Sequence, residues 1–183
     1  MREIKCEDIT KTVKQLCMEA ACNLPSDVFK ALKDKTDTEP YPLAKKTLEV
    51  LIDNADLAKD NMMPICQDTG MAFVYITIGQ EVHVDGDLKA AINEGVRQGY
   101  EEGYLRKSVV DDPLFERINT KDNTPAIIYF DLVCGDEFKI VVAPKGFGSE
   151  NMSQIKMLKP SDGVQGVNDF VLKGGNDAAP NAC

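Results

Sequence analysis

The sequence predicts an α+β fold, with an N-terminal helical segment followed by a mixed β-sheet flanked by helices. Three observations carry this expectation. Apolar residues recur at helical spacing from Glu7 onward, the texture changes at Met63, and runs rich in β-branched and aromatic residues then alternate with helical patterns. The expected division is a helical part over 1–62 and a mixed α/β part over 63–183, together forming one domain.

From Glu7 to Met18, Ile9, Val13, Leu16 and Cys17 fall on one helical face. Asn23-Leu24-Pro25-Ser26 is a break, and Ser26 is an expected N-cap for a helix carrying Val28, Phe29 and Leu32. After a polar connection from Lys35 to Pro42, a longer helix is predicted over Leu43–Lys59, with Leu43, Val50, Leu51, Ala55 and Ala58 on its inner face. The first third of the chain thus reads as helical throughout. Ala72–Ile78 reads as a buried strand, and Val82–Val84 as a short extension after a turn. Asp87–Tyr104 reads as a helix with Leu88, Ala91, Ile92, Val96 and Tyr100 inward. Ala126–Val133 and Phe138–Ala143 read as strands joined through residues 134–137 in a hairpin. A last helix is expected over Ser161–Lys173, followed by a loop from Gly174.

Composition narrows the function. With 183 residues, 43% hydrophobic and 28% charged, the chain can bury a real core and is not of disordered type. Its net charge of −9, with no Lys/Arg cluster, disfavours a nucleic-acid partner. No apolar run approaches the ~20 residues that span a bilayer. The N-terminus is no signal peptide, so the expected compartment is the cytoplasm. Six cysteines, at positions 6, 17, 22, 66, 134 and 183, form no CxxC pair. In a reducing compartment they are core residues, reactive thiols or ligands of a site assembled from distant parts of the chain.

Three segments carry chemistry. Pro64-Ile65-Cys66-Gln67-Asp68-Thr69-Gly70 places a thiol, an amide, a carboxylate and a hydroxyl in one loop between helix and strand. Composition alone favours a small buried cysteine beside an Asp-Thr-Gly turn. Ala143-Pro144-Lys145-Gly146-Phe147-Gly148-Ser149-Glu150-Asn151-Met152-Ser153 follows a strand, and its glycines could let backbone N–H groups approach a carboxylate or phosphate. It is not a Walker A loop, because the lysine precedes the glycines, and a tight strand exit is the plain alternative. The third is the C-terminal run ending Pro180-Asn181-Ala182-Cys183.

Taken together, these segments resemble the class I fumarases and the alpha subunits of two-subunit fumarate hydratases and L-tartrate dehydratases. The resemblance covers essentially the whole chain, and a CQDTG run followed by a KGxGSEN run is specific to it. It implies an iron–sulfur hydro-lyase acting on a small dicarboxylic acid, with a 4Fe–4S cluster held by three cysteines and one iron open to substrate. Cys66 and Cys183 match two of those ligands, and the third belongs to a stretch beyond this sequence. Gln67 and Asp68 match residues that contact the substrate or its hydroxyl. Arg106, in Tyr104-Leu105-Arg106-Lys107, matches a substrate-binding arginine whose planar fork suits a carboxylate, with Asp68 and Arg106 as the catalytic candidates. Gly148, with Gly146 as the alternative, matches a backbone donor.

Cys6, Cys17, Cys22 and Cys134 match no ligand position and are expected to be packing or surface thiols. His83 matches no catalytic position. The resemblance further implies a beta subunit or C-terminal domain as partner, which would supply the base, and an oligomer. By itself the chain is expected to be inactive. The competing expectation is a non-catalytic module that binds an anion or a partner. Zinc or redox chemistry pairing Cys66 with Cys183 fits the spacing poorly, and a ferredoxin fits worse, since its cysteines would be concentrated in short runs.

Overall fold

Strand β1 (Arg2–Lys5) leads directly into helix α1 (Cys6–Cys22), followed by α2 (Ser26–Thr38) and α3 (Pro42–Asn61). Strands β2 (Met71–Gly79) and β3 (Val82–Asp85) precede α4 (Leu88–Glu102). Two-residue strands β4 (Val110–Asp111) and β5 (Ile118–Asn119) pair with each other before β6 (Ile127–Val133) and β7 (Phe138–Lys145). Two short 3₁₀ turns, Gly148–Met152 and Pro160–Asp162, lead to α5 (Gly163–Ala178). The computed structural model describes residues 1–178. They form two compact units, one spanning Met1–Lys145 and a second beginning at Gly146. The helices and mixed sheets make this an α+β fold, as the sequence predicts.

The main sheet has the order β6-β2-β7, with β6 parallel and β7 antiparallel to the central β2. The predicted hairpin of the last two strands is therefore corrected: they flank β2 and do not pair with each other. The 134–137 connection crosses the end of β2, where Gly79 donates to the Glu137 carbonyl at 2.7 Å and Glu81 to Gly135 at 2.9 Å. A Cβ on Gly79 would sit 2.2 Å from the Gly135 oxygen, so only glycine admits the crossing. A sequence pattern reports strand identity but not which strand a turn steps over.

The first third is not helical throughout. β1 pairs in parallel with β3, from Arg2 opposite Val82 to Lys5 opposite Asp85. Four residues with only Ile4 half-buried are too few to show strand periodicity. Ser26 is the first helical residue of α2, and the N-cap position falls to Pro25 without a side-chain bond. On α3 only Ala55 and Ala58 are buried, while Leu43, Val50 and Leu51 are exposed. At the other end, α5 runs through Gly174 and Gly175 to Ala178, where a loop is expected from sequence. Helical backbone bonding here overrides the roughly 1 kcal/mol penalty per glycine.

The core lies on one face of the main sheet. Ala72, Val74 and Ile76 of β2 meet Ile9, Val13 and Cys17 of α1 and Ile92, Val96 and Tyr100 of α4. Each large side chain buried there contributes about 1.5–3 kcal/mol. Helices α1 and α4 run side by side in the same direction, with Thr10 donating its hydroxyl proton to the Ala91 carbonyl at 3.0 Å. Further along, Gly95 abuts Val13 and Gly99 abuts Cys17. Both helices therefore end near one another, at the end of the sheet where β2 begins. Among the described residues no helix is long and apolar enough to cross a membrane.

Candidate functional site

The loop from α3 to β2 carries the Cys66 segment, and it is fastened at both ends. Helix α3 stops at Met62, whose left-handed backbone (φ 50°) lets its N–H reach the Ala58 and Lys59 carbonyls. The Ile65 N–H donates to the Ala21 carbonyl at 2.9 Å, and Asn54 Nδ2 donates to the Ile65 carbonyl at 3.0 Å. At the far end Thr69 and Gly70 are buried. The Tyr100 hydroxyl lies 2.9 Å from the Thr69 carbonyl and 3.2 Å from that of Gly70, and Asn123 Nδ2 donates to the Gly70 carbonyl at 2.9 Å. Burial pushes the Tyr100 phenol well above its usual range, with the nearby Cys17 and Asp68 as lesser causes, so it stays a neutral donor.

Between these fastenings Cys66, Gln67 and Asp68 are exposed. The buried-cysteine alternative fails for Cys66. Its Sγ accepts a bond from the Asp68 N–H at 3.4 Å, and Asp68 Oδ1 accepts from the Gly70 N–H at 3.1 Å. One carboxylate oxygen thus shapes the turn, and the carboxylate itself stays at the surface. Cys17 and Cys22 are buried, Cys6 is half-buried and Cys134 is exposed. His83 is exposed on β3.

Arg106 reaches the same end of the fold by a different route. α4 closes with the Gly103 N–H on the Gly99 carbonyl, and Tyr104 takes a left-handed conformation (φ 52°). Leu105 then turns inward, 4% exposed, with its N–H on the Tyr100 carbonyl at 3.0 Å. The next side chain, Arg106, is exposed. Its backbone is gripped by one side chain. Thr69 Oγ1 accepts from the Arg106 N–H at 2.8 Å and donates to the Arg106 carbonyl at 3.2 Å. The position after the C-terminus of a helix also suits a cation.

The structure therefore brings the Arg106 backbone to the Cys66–Asp68 loop. Gly148 opens the first 3₁₀ turn of the second unit, and Cys183 lies outside the described residues. Register places Lys145, the last residue of β7, opposite Met71. Among the described residues no group of three or more His, Cys, Asp or Glu could hold a metal ion. What Cys66 offers is a single accessible thiol with an N–H donor beside it, which suits one thiolate ligand of a larger set.

Asn123 was not legible from sequence. It is fully buried (0% exposed) and left-handed (φ 63°), and its Oδ1 accepts from the Ser108 and Val109 N–H groups at 2.8 and 3.1 Å. In Lys121-Asp122-Asn123-Thr124-Pro125 it reads as an ordinary turn residue. The only available signal was that asparagine tolerates a left-handed backbone.

The described fold and this end of it define an α+β protein that displays a thiol, an amide and a carboxylate on one fastened loop. The family model described as fumarate hydratase (Fumerase) matches residues 10–183. A Methanocaldococcus jannaschii protein provisionally named L(+)-tartrate dehydratase subunit alpha is 40% identical over 96% of this chain and 63% of its own length. Proteins named L(+)-tartrate dehydratase subunit alpha from Escherichia coli (strain UTI89) and Shigella boydii are 29% and 28% identical, over 96% of this chain and 58% of theirs. The chain belongs to the fumarate hydratase (Fumerase) family. It spans about three fifths of the length of these curated relatives.

Proposed function

We propose that the chain is the N-terminal, alpha-subunit part of a 4Fe–4S hydro-lyase that adds or removes water on a small dicarboxylic acid. The reaction is fumarate to malate or tartrate to oxaloacetate. The observation that carries this reading is the exposed Cys66-Gln67-Asp68 run fastened to the Arg106 segment, within a chain whose match to the family extends over residues 10–183. Cys66 and Cys183 would supply two thiolates, and a third would come from outside this chain. When bound, the cluster supplies a Lewis-acidic iron that assists loss of hydroxide from an sp³ carbon.

The chain's own residues bind and orient. The Arg106 guanidinium pairs its planar fork with a substrate carboxylate, a geometry Lys107 cannot reproduce. Gln67 donates its amide N–H to the substrate. Asp68 accepts from the substrate hydroxyl with the carboxylate capacity left over from Gly70. Gly148 contributes a backbone N–H. The base that takes the proton from the neighbouring carbon belongs to a beta subunit or a further C-terminal domain, so this chain is inactive alone. The relatives' printed names, which call them alpha subunits, support such a partner and an oligomeric enzyme. The setting that goes with this reading is the reducing cytoplasm.

The test is anaerobic iron and sulfide reconstitution of this chain together with its partner segment, beside a Cys66→Ser variant. A broad visible charge-transfer band, with hydration of fumarate or dehydration of tartrate, is expected in the wild type and lost in the variant. A band or activity indifferent to Cys66→Ser overturns the reading. Dicarboxylate binding without band or turnover would instead make the chain an anion-binding module.

A further inference from the structure

Residues 105–109 belong to no helix or strand, yet most of their backbone N–H and carbonyl groups are paired. Arg106 gives its N–H and its carbonyl to Thr69 Oγ1. The Lys107 carbonyl takes Asn119 Nδ2 at 2.9 Å, and Ser108 and Val109 share Asn123 Oδ1. The Val109 carbonyl accepts from the Thr120 N–H at 3.0 Å. Asn123 meanwhile holds the Gly70 carbonyl through Nδ2. Two buried side chains, Thr69 and Asn123, thus join the arginine segment to the end of the Cys66 loop. An irregular segment that spends its backbone bonds on three side chains from two other stretches is held in one place.

We propose that Thr69 and Asn123 are positioning residues that fix Arg106 relative to Cys66–Asp68, so that the guanidinium meets a substrate carboxylate held at that loop. This rests on the hydro-lyase reading above. Thr69 is suited to the task because its hydroxyl both accepts and donates, and its branched Cβ restricts χ1. Removing the hydroxyl frees the Arg106 main chain without touching the guanidinium. A displacement of about 1 Å at a substrate-orienting group can cost up to about 100-fold in rate.

The experiment uses the assembled, cluster-loaded enzyme with Thr69→Val, Thr69→Ser, Arg106→Lys and the Thr69→Val/Arg106→Lys double variant. Hydrogen exchange of the peptide covering residues 105–109 is measured beside kcat and KM for both acids. Thr69→Val is expected to speed local exchange and raise KM about tenfold or more while kcat changes less. Thr69→Ser is expected to restore both. In the Arg106→Lys background Thr69→Val is expected to add no further loss, because the two act on one contact. Unchanged exchange in Thr69→Val, an unchanged KM where Arg106→Lys raises it, or fully additive losses would each overturn the proposal. A wild-type enzyme inactive on both acids overturns the hydro-lyase reading and this inference with it; an active wild type with an indifferent Thr69→Val overturns this inference alone.

Discussion

Gly99 of α4 lies against Cys17 of α1 so closely that a Cβ on the glycine would stand 2.9 Å from the Cys17 Cβ and 2.9 Å from the Lys14 carbonyl. One turn earlier, a Cβ on Gly95 would stand 2.7 Å from the Thr10 carbonyl. Two glycines four residues apart let the helices touch backbone to backbone.

Gly95→Ala and Gly99→Ala are therefore expected to destabilise the protein. Alanine gains about 1 kcal/mol of helix propensity, but the clash is with backbone and must spread α1 from α4. Overpacking of this kind costs roughly 1–3 kcal/mol, and the double variant should lose more than either single one. Urea unfolding measures it; a midpoint raised by either substitution would contradict the close contact.

Asn123→Leu should be among the most damaging single substitutions in the chain. It takes from the Ser108 and Val109 N–H groups their shared acceptor, and from the Gly70 carbonyl one of its two donors, by removing a fully buried side chain. Each unmet group costs about 1–3 kcal/mol. The left-handed backbone adds strain for leucine, which asparagine tolerates. A thermal melt within a degree of the wild type would show that these bonds contribute nothing.

Cys17 gives a pH signature. Burial alone pushes its thiol up to about 12. Because the folded value is raised, the native state keeps a proton that the unfolded chain sheds from about pH 9. The stability this thiol contributes is thus complete below the unfolded value and is lost as pH rises through the folded one. The amount is on the order of 4 kcal/mol. Cys17→Ala should flatten the fall in unfolding free energy between pH 9 and 11 by close to one proton, and an identical slope would refute the assignment.

The thiols should also separate by reactivity. In the native chain iodoacetamide is expected to label exposed Cys66 and Cys134 first and to spare buried Cys17 and Cys22. Peptide mass spectrometry reads the order. Early labelling of Cys17 would mean that α1 and α4 open readily.

Much of this was legible in the sequence, for local reasons. Ile9, Val13 and Cys17 repeat at helical spacing and are all buried, as are Ile92, Val96 and Tyr100. The β-branched and aromatic run Ala72–Ile78 marked a buried strand, which the fold places at the centre of the main sheet. The Cys66-Gln67-Asp68-Thr69-Gly70 run marked the family, because contiguous residues keep their order whatever the fold. Exposure of Cys66 was not legible, since its composition argued for burial and only the fastenings on either side hold the loop at the surface.

By itself, the sequence determined the fold class, the helix faces of α1 and α4, the central strand and the family motif. Each is written in neighbours within a few residues, where periodicity and side-chain chemistry act directly. Only the tertiary structure decided that β6 and β7 flank β2, that Arg2–Lys5 pairs as a strand, and that Thr69 grips Arg106 across 37 residues. Those relationships depend on where the chain returns. A hydrogen bond reads distance and angle, and neither is encoded in the spacing of letters.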